Sequence, residues 1–229
     1  MCRGRSDHGE TCQFGYLNLG AFHTGVGEVP FELDALAESA ALLVRALDDA
    51  VEASLELYPD PASARVMRLK RKIGVRVCGL ADLLLAAGLP YDSPEARRLA
   101  ADVLTWVNYH SKLASVELAE RRGPCPAVRG GRSRYADPAF LGRFATAGVR
   151  TVAPARWTAL ARRIAGDGIL RNASTIALPP TGRSAPVVGA STGVEPLFRL
   201  TDPCRDGLVH PAAEGHARGR TSGRARARA

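Results

Sequence analysis

Long apolar runs are what this 229-residue chain most plainly lacks, and their absence excludes a membrane-spanning helix. Cysteine is sparse as well. Cys2, Cys12, Cys78, Cys125 and Cys204 are odd in number, scattered, and form no CxxC pair. That spacing argues against a secreted disulfide framework. The first ten residues, MCRGRSDHGE, are polar throughout, so no secretory leader is visible. Together these absences predict a soluble chain in the reduced cytoplasm. Aromatic residues make up 6% of the chain, and none interleaves with the basic cluster Arg65, Arg68, Lys70, Arg71 and Lys72. The base-stacking platform of a nucleic-acid binder is therefore missing. There is no GxxxxGK[ST] phosphate loop. His110 has no second histidine, cysteine or carboxylate at ligand spacing, which leaves a metal site there without support.

What is present suffices for a folded domain. Hydrophobic residues are 46% and charged residues 24%, both ordinary for a globular protein. The formal net charge is +8, but it is unevenly spread. The last stretch, HARGRTSGRARARA from His216 to Ala229, has five arginines, no acid and no apolar side chain larger than alanine. Such a segment cannot bury enough surface to fold, so residues 201–229 are expected to form a basic, disordered tail behind a domain of residues 1–200. Nucleic-acid binding through that tail rests on charge alone.

Along the chain, Cys12 to Gly20 alternates loosely and suggests a short strand. A lone cysteine there is usually a small buried hydrophobe. Phe31 to Tyr58 has helical period, with Asp34 available as a cap and an apolar stripe of Leu36, Ala40, Leu43, Leu47, Ala50, Val51, Ser54 and Leu55. Its Asp48-Asp49 pair reads as a solvated face, with a metal or acid–base site as the alternative. Gly74 and Gly79 bracket Val75-Arg76-Val77-Cys78 and imply close backbone approach. Short helices are expected over Ala81–Gly88, Pro138–Ala145 and Trp157–Ala165. A long amphipathic helix is expected over Pro94–Arg122, capped by Ser93.

The stretch Leu170 to Phe198, LRNASTIALPPTGRSAPVVGASTGVEPLF, reads as a strand (Thr175–Leu178), a Pro-Pro-Thr-Gly turn and a helix start near Pro186. Backbone amides at such a turn, with Thr181, Arg183 and Ser184, can cradle a phosphate. Read locally, the same residues also make an ordinary strand–turn–helix join.

Five stretches in order, CQFGYLNLGAF (12–22), LDDAVEASLELYP (47–59), RKIGVRVCGLADLLLAAGLPYDSPEA (71–96), ASVELAERRGPCPA (114–127) and the 170–198 segment, resemble the C-terminal part of the catalytic barrel of the ribonucleotide reductase large chain. The adenosylcobalamin-dependent class is the most similar in style. The resemblance covers roughly residues 12–198. It implies a helix-rich α/β fold, part of a ten-stranded α/β barrel, in which a thiyl radical on a loop cysteine takes the ribose 3′ hydrogen. Two further cysteines become a disulfide as the 2′-hydroxyl leaves as water. By resemblance Cys12 is a reducing cysteine. Asn172, Thr181, Gly182, Arg183 and Ser184 bind substrate, and Glu195-Pro196 is structural. Adenosylcobalamin is the implied cofactor, a nucleotide the substrate, and a thioredoxin-like dithiol the reductant.

The chain also departs from that pattern. The radical cysteine belongs about ten residues before Cys12, in an Asn-x-Cys-x-Glu setting. Cys2 stands near that distance, but Gly4 replaces the glutamate. In the alternative register Glu10 supplies the glutamate, and His8 stands where the cysteine belongs. The first reducing cysteine belongs to a barrel half that has no counterpart here. Arg183 replaces the usual threonine after PTG. The expectation is therefore a truncated reductase homologue, inactive alone, with a second chain as a conceivable source of the missing half. The alternative is a non-catalytic nucleotide-phosphate-binding or interaction domain.

Overall fold

The structure, a computed structural model, describes residues 8–24, 31–131, 133–146 and 148–197. Cys2 and the basic tail lie outside them. The chain divides into two compact units. The first gathers residues 1–17, 33–76 and 101–179, and the second gathers 18–32, 77–100 and the chain from 180 onward.

The first unit is built on helices. Helix α1, Leu33–Ser54, buries Leu36, Ala40, Val44, Leu47 and Val51. Each such apolar side chain contributes about 1.5–3 kcal/mol when fully buried. The buried stripe runs through Val44 and Asp48, not through Leu43 and Ala50, and Asp34 sits inside the first turn. Helix α2, Pro61–Lys70, starts where Asp60 Oδ1 accepts from the Ala62 amide at 2.9 Å, with proline at the first helical turn. The basic cluster therefore lies on and just after a helix. It closes on Arg71, held left-handed at φ 45°.

Strand β1, Gln13–Asn18, pairs with strand β2, Ile73–Cys78, whose six residues are all buried. The chain from 173 to 177 lies alongside β2 in extended form. Ile73 and Val75 donate to the carbonyls of Ser174 and Thr175 at 3.1 and 2.7 Å, and Val75 and Ile176 make a parallel bridge. The expected strand over Thr175–Leu178 is thus a single bridge. Among the described residues two strands form the sheet, and the ten-stranded barrel of the resemblance is not formed by them.

Helix α3 covers Leu80–Ala86, and helix α4 runs Pro94–Arg122 as its capping signals predict. Ser93 Oγ accepts from the Ala96 amide at 3.0 Å, and Gly123 at φ 82° ends α4. The middle of α4 is buried almost all round, including Ser111, Lys112 and Ser115. Three helices follow: α5, Pro126–Arg129; α6, Pro138–Ala145; and α7, Pro154–Asp167. Helix α6 packs on α7, with Phe144 stacked on the buried Trp157 at 4.9 Å. Helix α8, Ser184–Val187, is a single turn and belongs to the second unit. No described helix is long and apolar enough to cross a membrane.

Candidate active site

Cys12 enters β1 half-buried, and its thiol lies against Gly74 of β2. A Cβ at Gly74 would come within 3.4 Å of the Cys12 sulfur and 3.5 Å of the Phe14 Cβ. The glycine therefore leaves room for the thiol at a close strand approach. Glu10, just before it, is gripped by two ammonium groups, with Lys70 Nζ at 2.8 Å and Lys72 Nζ at 3.1 Å. Cys2, the other candidate of the radical loop, lies outside the described residues.

Asn172 is completely buried and its amide is fully committed. Ser115 Oγ donates to its Oδ1 at 2.8 Å, while its Nδ2 donates to Asp48 Oδ1 at 3.1 Å and to the Arg71 carbonyl at 2.9 Å. Asp48, on the buried stripe of α1, is the hub. Arg71 Nε reaches its Oδ1 at 2.9 Å, and Arg122 and Arg171 each reach Oδ2 at 3.2 Å. Burial alone would push this carboxyl up, but the hydrogen bonds and charges of Arg71 and Arg171 hold it below the usual carboxylate range. The solvated-face expectation holds for Asp49 and fails for Asp48. The metal alternative also fails, since no group of described His, Cys, Asp or Glu side chains could hold an ion.

In the second unit, Thr181 is buried and its hydroxyl accepts from the Gly193 amide at 3.0 Å. Gly182, at φ 53°, Arg183 and Ser184 are exposed beside it. The Ser184 amide closes the turn on the Thr181 carbonyl at 3.1 Å. The following loop is fixed to the start of α3. The Ser191 amide donates to Asp82 Oδ2 at 2.7 Å, and the Gly79 amide donates to the Ser191 carbonyl at 2.9 Å. Gly79, at φ 74°, permits that approach, because a Cβ would sit 2.2 Å from Asn18 Oδ1.

Comparison with known proteins fits this arrangement. The profile of the ribonucleotide reductase barrel domain matches residues 4–202. The chain belongs to that family. It is 35% identical over 191 residues to the vitamin B12-dependent ribonucleoside-diphosphate reductase of Mycobacterium tuberculosis strain H37Rv, covering 83% of this chain and 22% of that protein. It is 31% identical to the reductase of the same description from Thermoplasma acidophilum, over 83% of this chain and 20% of that protein. Identity to the ribonucleoside-diphosphate reductase large subunit of Arabidopsis thaliana is 30%, over 72% and 20%. The chain thus spans about a fifth of the length of the curated relatives it matches.

Within this reductase homologue, sequence reasoning singled out Cys12 and the 181–184 turn as expected site residues and passed over most of what packs around them. Asp48 was legible in principle, since it follows Val44 and precedes Val51 on the buried stripe. Ser115 gave no such signal, and Gly74 read as a close approach without naming its partner. Their value lies in contacts from residues 57 positions away for Ser115 and about 60 for Gly74. His110 is neither exposed nor satisfied. Its Nε2 is buried without a hydrogen-bond partner, and its ring packs on Trp106 at 4.2 Å. Cys78 and Cys125 are buried, and burial raises both thiols above the ordinary cysteine value.

Proposed function

We propose that the chain is a portion of a ribonucleotide reductase large chain and carries two pieces of its site. Cys12 supplies one thiol of the reducing pair, and residues 181–184 receive a nucleotide phosphate. The observation that carries this reading is the family match through residues 4–202 with Cys12 lodged against Gly74. In the reaction the dithiol gives two electrons and two protons, the ribose 2′-hydroxyl leaves as water, and a disulfide forms. A dithiol partner of the thioredoxin type would reduce that disulfide. At the turn, Thr181 holds the loop shape while the exposed Arg183 and Ser184 supply charge and hydroxyl to the phosphate. Asn172 acts through position, setting the 170–177 segment against β2.

The described residues do not fit adenosylcobalamin. The groove walled by Ala41, Leu42, Ala114 and Leu118 of α1 and α4 holds about 280 Å³, too little for a corrin. No step is derived through that cofactor. The grip of Lys70 and Lys72 on Glu10, which engages the carboxylate a general base would need, favours a second reading in which the chain binds nucleotide without turnover.

Two measurements test these readings. Calorimetry with nucleoside di- and triphosphates should show binding, weakened about tenfold or more in a Thr181→Ala, Arg183→Ala double variant. Binding equal in both chains, or none, refutes the phosphate turn. Anaerobic assay of the 229-residue chain with nucleotide, adenosylcobalamin and dithiol should give no deoxynucleotide, and formation above background would overturn the non-catalytic reading.

A further inference from the structure

Among the described residues Arg76, on β2, has no carboxylate counter-ion. It is 8% exposed, and no described carboxylate lies within ion-pair distance of it. Its guanidinium carbon lies 3.6 Å from the Phe14 ring centroid and 5.6 Å from that of Tyr16, and Nη1 donates to the Tyr16 hydroxyl at 3.0 Å. Phe14 and Tyr16 meet edge to face at 5.8 Å. The opposite edge of the guanidinium makes no hydrogen bond to any described residue, and Nε is buried there without an acceptor. Residues two apart on a strand share a face, which groups Phe14 and Tyr16 of β1 with Gly74 and Arg76 of β2. Phe14 is 48% exposed, so this face opens to solvent at the aromatic rim.

Burying a charge with an orphaned N–H is costly unless something pairs it. The rings and the Tyr16 hydroxyl satisfy one face and one nitrogen. What remains is the Nε–Nη2 edge, the fork that takes two oxygens of a planar or tetrahedral oxyanion side by side. We infer that Arg76, clamped by Phe14 and Tyr16, is an anion-binding site for a phosphate group, either free or at the end of a nucleotide. This site needs neither Cys12 nor the 181–184 turn, so it stands or falls separately from the reductase reading.

The test uses the full chain with inorganic phosphate, then a nucleoside diphosphate and the matching phosphate-free nucleoside. Phosphate should bind and raise the melting temperature. The effect should persist in Thr181→Ala and weaken about tenfold or more in Arg76→Gln. Arg76→Lys keeps the charge but not the fork, and should fall between. In the wild-type chain the Arg76 Nε–H resonance should shift on phosphate addition, which does not depend on any variant folding. Equal titration by diphosphate and phosphate assigns the site to the free anion, and tighter diphosphate binding assigns it to a nucleotide. An unmoved Nε–H resonance, equal phosphate binding by Arg76→Gln, or an equal shift from the phosphate-free nucleoside overturns the proposal.

Discussion

His110 sits on α4 between the rings of Trp106 and Tyr109, with Arg156 and Asp34 as the charged groups that act on it. Burial, with some help from Arg156 and against Asp34, lowers its pKa to about 4. An unfolded histidine titrates near 6.5, so between those values the unfolded chain binds more protons than the folded one. The stability held above pH 6.5 is therefore lost as pH falls through that window. Urea unfolding across this range should show the loss, and His110→Phe should flatten it. A variant with an unchanged profile would assign the acid sensitivity elsewhere. The cysteines offer a second residue-scale check. In a Cys2→Ser, Cys204→Ser background, a maleimide should modify half-buried Cys12 well before the buried Cys78 and Cys125. The short strand expected over Cys12–Gly20 was legible because its signal is local. The state of His110 was not, because burial on one helix face depends on what packs against it.

At the scale of elements, Asp48 joins four pieces of chain: α1, the left-handed end of α2, the end of α4 and the 171–172 segment. Asp48→Asn leaves Arg71, Arg122 and Arg171 without their shared carboxylate, and should cost about 3 kcal/mol in urea unfolding at neutral pH. Ser115→Ala strips partners from the buried Asn172 and should cost about 1–3 kcal/mol. A loss below 0.5 kcal/mol in either variant would show that the hub is not limiting. The elements that sequence reading located, α4 and α6, carry their own caps and periods. Helix α2 was missed because Asp60-Pro61 signals a turn as readily as a helix start. Strand β2 is buried at every position, so it shows no alternation to read. The 173–177 segment is defined by hydrogen bonds to β2 and has little local signature.

At the scale of the whole molecule, membership of a barrel-domain family was legible because five separated motifs keep their order, whereas the strand pairing was not, because parallel strands are specified by distant partners. The charge has its own molecular consequence. Removing residues 216–229 takes away five arginines and no acid. Adhesion to polyanions such as heparin should weaken and lose most of its salt dependence, and an unchanged salt slope would place the responsible charges in the folded part. The chain has three lysines, Lys70, Lys72 and Lys112. The first two hold Glu10. The third is wholly buried on α4, with Asn108 Oδ1 as hydrogen-bond acceptor and the Tyr135 ring 4.4 Å away. Burial pushes the Lys112 amine pKa down, with Tyr135 pulling partly back. Amine acylation of the folded protein should therefore reach Lys112 only as its surroundings open. The rate at which Lys112 is acylated would then measure how often the centre of α4 is exposed to water.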